Sequence, residues 1–207
     1  ALGYKGEVIK DYFMNYYARL SDLTVHLKSG QVSYSNPTAE DWSVSLIDTG
    51  TNTMTGGRLL RLKQHLQSEN GTFMLTYGDG VSDVDLTELL KFHRSHGKLA
   101  TVTAVRPSAR FGGMKIDDGC VLDFKEKPQS GEGWINGGFF VFQREFLDLI
   151  PNDPKCDLEK VPLEKITERN QLSVFRHKDF WQCMDTYRDF TLLNDMWVKN
   201  PKWKIWD

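Results

Sequence analysis

The nine residues from Phe73 to Val81, Phe-Met-Leu-Thr-Tyr-Gly-Asp-Gly-Val, constrain the fold of this chain more than any other stretch. An apolar, β-favouring run breaks at Gly-Asp-Gly, and a helix-start pattern follows a few residues later. Such a run suits a buried strand. It would deliver one carboxylate, Asp79, to the carboxyl edge of a sheet, with flanking glycines that let ligand backbone or phosphate come close. The plainer alternative makes Asp79 a turn residue bonded to its own backbone.

The surrounding chain alternates between helical and strand-like patterns. Ala1 to Gly3 reads as the tail of a strand. Val8, Ile9, Tyr12, Phe13, Tyr16, Tyr17 and Leu20 recur at three- and four-residue steps, as in an amphipathic helix. Leu23–Leu27 and Gln31–Ser35 alternate with period two about Lys28-Ser29-Gly30, predicting a hairpin, and Ser43–Asp48 predicts a further strand. Met54-Thr55-Gly56-Gly57-Arg58 opens a helix carrying Leu59, Leu62 and Leu66. Asp85-Leu86-Thr87-Glu88 resembles a capping box, with Leu86, Leu89, Leu90 and His93 as the buried stripe and Gly97 as the stop. Ala100–Val105 and Phe139–Phe142 read as strands, as do shorter runs at Met114–Ile116 and Val121–Phe124. Leu158–Arg169 predicts a helix and Ser173–Arg176 an edge strand. Phe180–Thr186 leads into a last helix, of which Asp185 could be the N-cap. This pattern predicts an α/β fold with a Rossmann-like mixed, mainly parallel sheet and flanking helices, built as one domain over residues 1–207.

Composition narrows the partners. A net charge of -2 leaves no basic field for nucleic acid. No apolar run reaches the roughly 18–20 residues of a membrane span. Cys120, Cys156 and Cys183 form no C-x-x-C, which favours a reducing cytoplasm and no structural zinc.

Several clusters stand out as chemistry. Gly56 and Gly57 at a helix start would expose backbone N–H groups, and Arg58 adds a fixed positive charge. Lys125-Glu126-Lys127-Pro128 is a compact charged group whose plainer and ordinarily favoured reading is a solvated strand edge. Asn136 precedes the pair Gly137-Gly138 beside a strand. His93 and His96 share a helix, where His93 falls on the packing stripe and does not read as half of a metal pair.

Together Asp48-Thr49-Gly50, Met54–Arg58, Thr76–Gly80, Arg110-Phe111-Gly112, Phe124–Pro128, Ile135–Phe140 and Met184–Asp189 resemble the sugar-1-phosphate nucleotidyltransferases, in the family's order. The resemblance implies CTP and glucose 1-phosphate as substrates, Mg²⁺ as cofactor, a cytoplasmic enzyme and a homo-oligomer when complete. It implies Asp79 and Asp185 as the metal ligands, with Thr53, Gly57, Arg58 and Gly78 lining the nucleotide site. Lys127 would hold the sugar phosphate, and Gly112, Glu126 and Asn136 would face the sugar. Those residue types suit the chemistry: phosphoryl-type transfer needs positioning and charge neutralisation, and magnesium takes oxygen ligands.

One departure carries an expectation. The family's glycine-rich Gly-x-Gly-Thr-Arg loop has no match here, so about fifty residues, including the first strand, are expected to be missing by comparison with the family. The fold would then be N-terminally incomplete and this chain by itself inactive. Two other readings compete: a non-catalytic truncated relative serving in binding or assembly, and a metal-dependent glycosyltransferase using Asp83-Val84-Asp85 as its Asp-x-Asp.

Overall fold

A computed structural model describes residues 1–66, 71–107 and 133–206, with the backbone of 113–117 and 120–125. Two compact units emerge: residues 1–66 with 150–162, and residues 67–149 with 163–207.

In the first unit, Leu2 forms an isolated parallel bridge to Asp48. The Leu2 N–H donates to the Ile47 carbonyl at 2.7 Å, and Thr49 N–H donates to the Leu2 carbonyl at 2.8 Å. The strand expected at Ser43–Asp48 is therefore reduced to one bridging position. A strand persists only where a partner backbone satisfies its N–H and C=O groups, and here Leu2 supplies a single bridge. Helix α1 (Gly6–Met14) ends at Asn15 and a short α2 (Tyr16–Arg19) follows. The predicted amphipathic pattern does form a helix, but Val8, Ile9 and Tyr12 stand exposed. Strands β1 (Asp22–His26) and β2 (Gln31–Ser35) pair antiparallel as the predicted hairpin, closed by Gly30 at φ 72°. Every residue of both strands is exposed. Helix α3 (Thr55–Arg61) follows.

The second unit contains β3 (Thr72–Thr76), β4 (Gly80–Ser82), α4 (Leu86–His96), β5 (Ala100–Val105), β6 (Gly113–Asp117) and β7 (Cys120–Lys125). It continues through β8 (Ile135–Gln143), a 3₁₀ segment Arg144–Leu149, α5 (Val161–Glu168), β9 (Leu172–Arg176), β10 (Trp181–Cys183) and α6 (Tyr187–Lys199). The first two residues of α5 belong to the first unit. The four-stranded sheet runs β3-β8-β5-β9. Strands β3, β5 and β9 share one direction, but β8 lies antiparallel between β3 and β5, so β5–β9 is the one parallel pairing. The sheet is mixed, as expected, but not mainly parallel: the β3–β8 and β5–β8 pairings are both antiparallel. Helix–strand alternation fixes the direction of each strand but not which strand is inserted between two others. Three carboxyl ends and the start of β8 still meet at one edge.

Phe140, Val141 and Phe142 of β8 are fully buried, and Phe142 stacks on Phe146 at 4.3 Å. Asp85 caps α4 by accepting from the Thr87 and Glu88 N–H groups, and Gly97 ends it at φ 64°. Leu89 and His93 form the buried side of α4, whereas Leu86, also expected there, is exposed. His93 lies in a polar net. Gln143 Nε2 faces His93 Nε2 at 3.0 Å, and Thr101 Oγ1 lies 2.9 Å from His93 Nδ1 and 2.8 Å from His96 Nε2. Both histidines thereby pack and hydrogen-bond within the sheet–helix layer.

Candidate active site

The edge where β3 ends and β8 begins holds a cleft of about 180 Å³. Asp79, Asn136 and Asp185 all line it, with Tyr77, Trp181 and Cys183. Two carboxylates 106 positions apart are brought together by β4 and β10, which pair antiparallel from Gly80↔Cys183 to Ser82↔Trp181. One residue further, the Met184 N–H donates to the Asp79 carbonyl at 2.8 Å. Asp79 and Asp185 thus leave the same end of one short ribbon.

The plainer roles of the two acids do not describe them. Thr186, not Asp185, is the N-cap of α6, closing a capping box with Asp189. Thr186 Oγ1 accepts from Asp189 N–H while the Asp189 carboxylate accepts from Thr186 N–H. Asp185 instead accepts from the Cys183 thiol at 3.2 Å. Among the described residues no donor reaches the Asp79 carboxylate, so it is not bonded to its own turn.

Asn136 Oδ1 accepts from Gly138 N–H at 2.9 Å, which fixes the amide of this cleft-lining residue. Gly138 adopts φ +79°, and a Cβ there would lie 2.9 Å from the Tyr77 ring, so only glycine fits this turn without strain. Trp181 Nε1 donates to the Gly137 carbonyl at 2.7 Å, tying the ribbon to β8. Trp181 and Cys183 carry no motif of their own and were not foreseen; their alternation after the edge strand is the signal that could have placed them. Gly78 sits in the turn before Asp79, with open space where a Cβ would project. Two acidic oxygen donors beside an amide suit Mg²⁺, which commonly takes one or two carboxylates and fills the remainder with water and phosphate. No group of three or more metal-ligating side chains occurs among the described residues.

Thr53, Gly57 and Arg58 form a cluster of their own within the first unit. Arg58 Nη1 donates to the Leu2 carbonyl and to Thr49 Oγ1, each at 2.9 Å. The buried Thr53 hydroxyl accepts from Arg61 Nη1 at 3.0 Å. Contrary to expectation, the N–H groups of Gly56 and Gly57 are not exposed: both donate to the Cys156 carbonyl, at 2.9 and 3.2 Å. A Cβ on Gly57 would lie 2.9 Å from the Pro154 carbonyl oxygen, so close approach of two backbones explains the glycine. Gly112, Glu126 and Lys127 lie outside the described residues. The Asp-x-Asp reading loses its donors, because Asp85 caps α4 and Asp83 accepts from His177 at 2.8 Å.

A nucleotidyl transferase family model matches residues 28–197. The glucose-1-phosphate cytidylyltransferase of Salmonella typhi is 44% identical over 206 residues, 99% of this chain and 79% of that protein. The mannose-1-phosphate guanylyltransferase catalytic subunit beta of Drosophila melanogaster is 31% identical over 140 residues, covering 66% of this chain and 38% of that one. Among solved structures, HddC from Yersinia pseudotuberculosis superposes with a TM-score of 0.51 at 21% identity, over 70% of this chain and 63% of that one, which supports the fold alone. With nearly its whole length aligned, the chain belongs to the nucleotidyl transferase family and is a homologue of glucose-1-phosphate cytidylyltransferase.

Proposed function

We propose that this chain is a nucleotidyltransferase domain that transfers a cytidylyl group from CTP to glucose 1-phosphate, giving CDP-glucose and pyrophosphate for bacterial surface polysaccharide. The meeting of Asp79 and Asp185 beside Asn136 in one cleft carries this reading. A phosphate oxygen of glucose 1-phosphate attacks the α-phosphorus of CTP, a new P–O bond forms, and the bond to the β-phosphate oxygen breaks to release pyrophosphate. Asp79 and Asp185 would hold Mg²⁺, which when bound neutralises charge on the phosphates. Asn136 presents its amide to a sugar hydroxyl; Glu126 and Gly112 are likewise assigned to the sugar and Lys127 to the sugar phosphate. Thr53, Gly57, Arg58 and Gly78 line the nucleotide site, and residues 1–207 act as one domain.

A cytoplasmic setting accords with nucleotide substrates, and among the described residues no helix is long and apolar enough to cross a membrane. The apolar residues exposed on α1 and on the β1–β2 hairpin support assembly into a homo-oligomer.

The test measures pyrophosphate release from CTP and glucose 1-phosphate by the full-length protein. Asp79→Asn and Asp185→Asn are each expected to lower kcat/KM by at least about a hundredfold. Near-normal turnover in either variant would remove the two-carboxylate site. Preference for UTP over CTP would correct the base.

A further inference from the structure

We propose that Asp83 and His177 position the two cleft carboxylates, acting as a clamp on the β4–β10 ribbon without touching substrate. The inference rests on the reading of Asp79 and Asp185 as the metal ligands.

The ribbon has three residues in each strand, too few to hold its own shape. One attachment to the sheet is the Trp181 indole on the Gly137 carbonyl. The other lies at the end of the ribbon away from Asp79 and Asp185. There the Phe180 carbonyl accepts from Asp83 N–H at 3.2 Å, from Ser82 Oγ at 2.8 Å and from His177 Nε2 at 3.1 Å. His177 Nε2 also lies 2.8 Å from Asp83 Oδ1. Both partners are acceptors only, so Nε2 must carry the proton and donate to each. His177 is itself held by its backbone, whose N–H donates to the Ala104 carbonyl at 2.9 Å. Ala104 of β5 lies opposite Asn136 of β8.

A continuous path therefore runs from Asn136 through Ala104, His177 and Asp83 to the ribbon that carries both carboxylates. His177 is 8% exposed and its partner Asp83 24%, so water competes weakly for the bond. Partners that orient metal-binding residues from outside the ligand set matter because small displacements of ligands weaken binding steeply.

Mn²⁺ titrated into the chain, followed by electron paramagnetic resonance, reads the clamp without requiring turnover, and hydrogen exchange at the Met184 amide reads ribbon order. Asp79→Asn should abolish binding. Asp83→Ala should raise the Mn²⁺ Kd about tenfold and speed Met184 exchange, while Asp83→Asn, which keeps an acceptor oxygen, should stay within about twofold on both. Normal Mn²⁺ binding and Met184 protection in Asp83→Ala, with binding lost in Asp79→Asn, would overturn the clamp and leave the metal site standing. Undiminished binding in Asp79→Asn would overturn the metal site and the clamp's purpose with it. If Asp83→Ala does not fold, His177→Gln and His177→Leu decide: Gln, with a donor of similar reach, should bind Mn²⁺ about tenfold more tightly than Leu, and equal affinities would overturn the proposal.

Discussion

The β1–β2 hairpin and strand β8 both announce themselves in the sequence, and they end in opposite surroundings. Val25, Val32 and Tyr34 of the hairpin stand exposed, while Phe140, Val141 and Phe142 of β8 have no exposed surface. Alternation in the hairpin and the continuous run in β8 each sufficed to make a strand. Burial required something more: β8 lies inside a four-stranded sheet between β3 and β5, while among the described residues β1 and β2 pair only with each other. Strand formation is thus a local matter, and the free energy of burial is a property of what lies across from the strand.

The comparison breaks most visibly in the core. Phe140→Ala is expected to destabilise the second unit by about 3–5 kcal/mol, because a fully buried ring leaves a cavity in a stacked aromatic cluster. Urea denaturation should shift its midpoint accordingly. A loss below about 1 kcal/mol would mean that the sheet is no better packed than the hairpin.

Acid should separate the regions next. Burial, with smaller contributions from His96 and Arg94, lowers the pKa of His93 to about 4. Its Nε2 faces the Gln143 amide and its Nδ1 faces Thr101, so a second ring proton has no acceptor ready for it. The unfolded chain binds that proton near pH 6.5 and the folded chain only near 4. Stability is therefore full above 6.5 and falls as the pH drops from 6.5 towards 4, by up to about 3 kcal/mol. Denaturation midpoints at pH 7 and 4.5 measure the slope, and His93→Gln should flatten it. An unchanged slope in that variant would assign the acid sensitivity elsewhere.

The smallest effect belongs to the hairpin. Val25→Thr and Tyr34→Thr should alter the stability of the chain by no more than about 0.5 kcal/mol, since both side chains are exposed. If the chain self-associates through this hairpin, the same variants should lower its apparent mass in sedimentation. A large stability loss at low concentration would show that the hairpin is buried in some form of the molecule.

Much of the local structure was legible because it depends on neighbours in sequence. The Asp85 cap, the Gly97 stop and the turn at Gly30 follow from residues a few positions away. The strand at Ser43–Asp48 was misread for the complementary reason: its pattern is adequate, but among the described residues its one bridge is from Asp48 to Leu2. Gly56 and Gly57 were similarly ambiguous, since small residues serve ligand approach and backbone packing alike, and the Cys156 carbonyl takes both N–H groups.

The sequence by itself determined that Asp79 follows a strand and that a helix begins just after Asp185, because apolar runs and capping residues act over short range. It could not choose between Asp185 and Thr186 as the cap, since adjacent residues offer chemically equivalent acceptors. Only the tertiary structure made Thr186 the cap, placed Asp185 in the cleft, inserted β8 between β3 and β5, and turned Asp83 towards His177. Each of those outcomes depends on residues tens of positions apart. Their encounter is set by the summed packing of the sheet, a quantity that no local pattern contains.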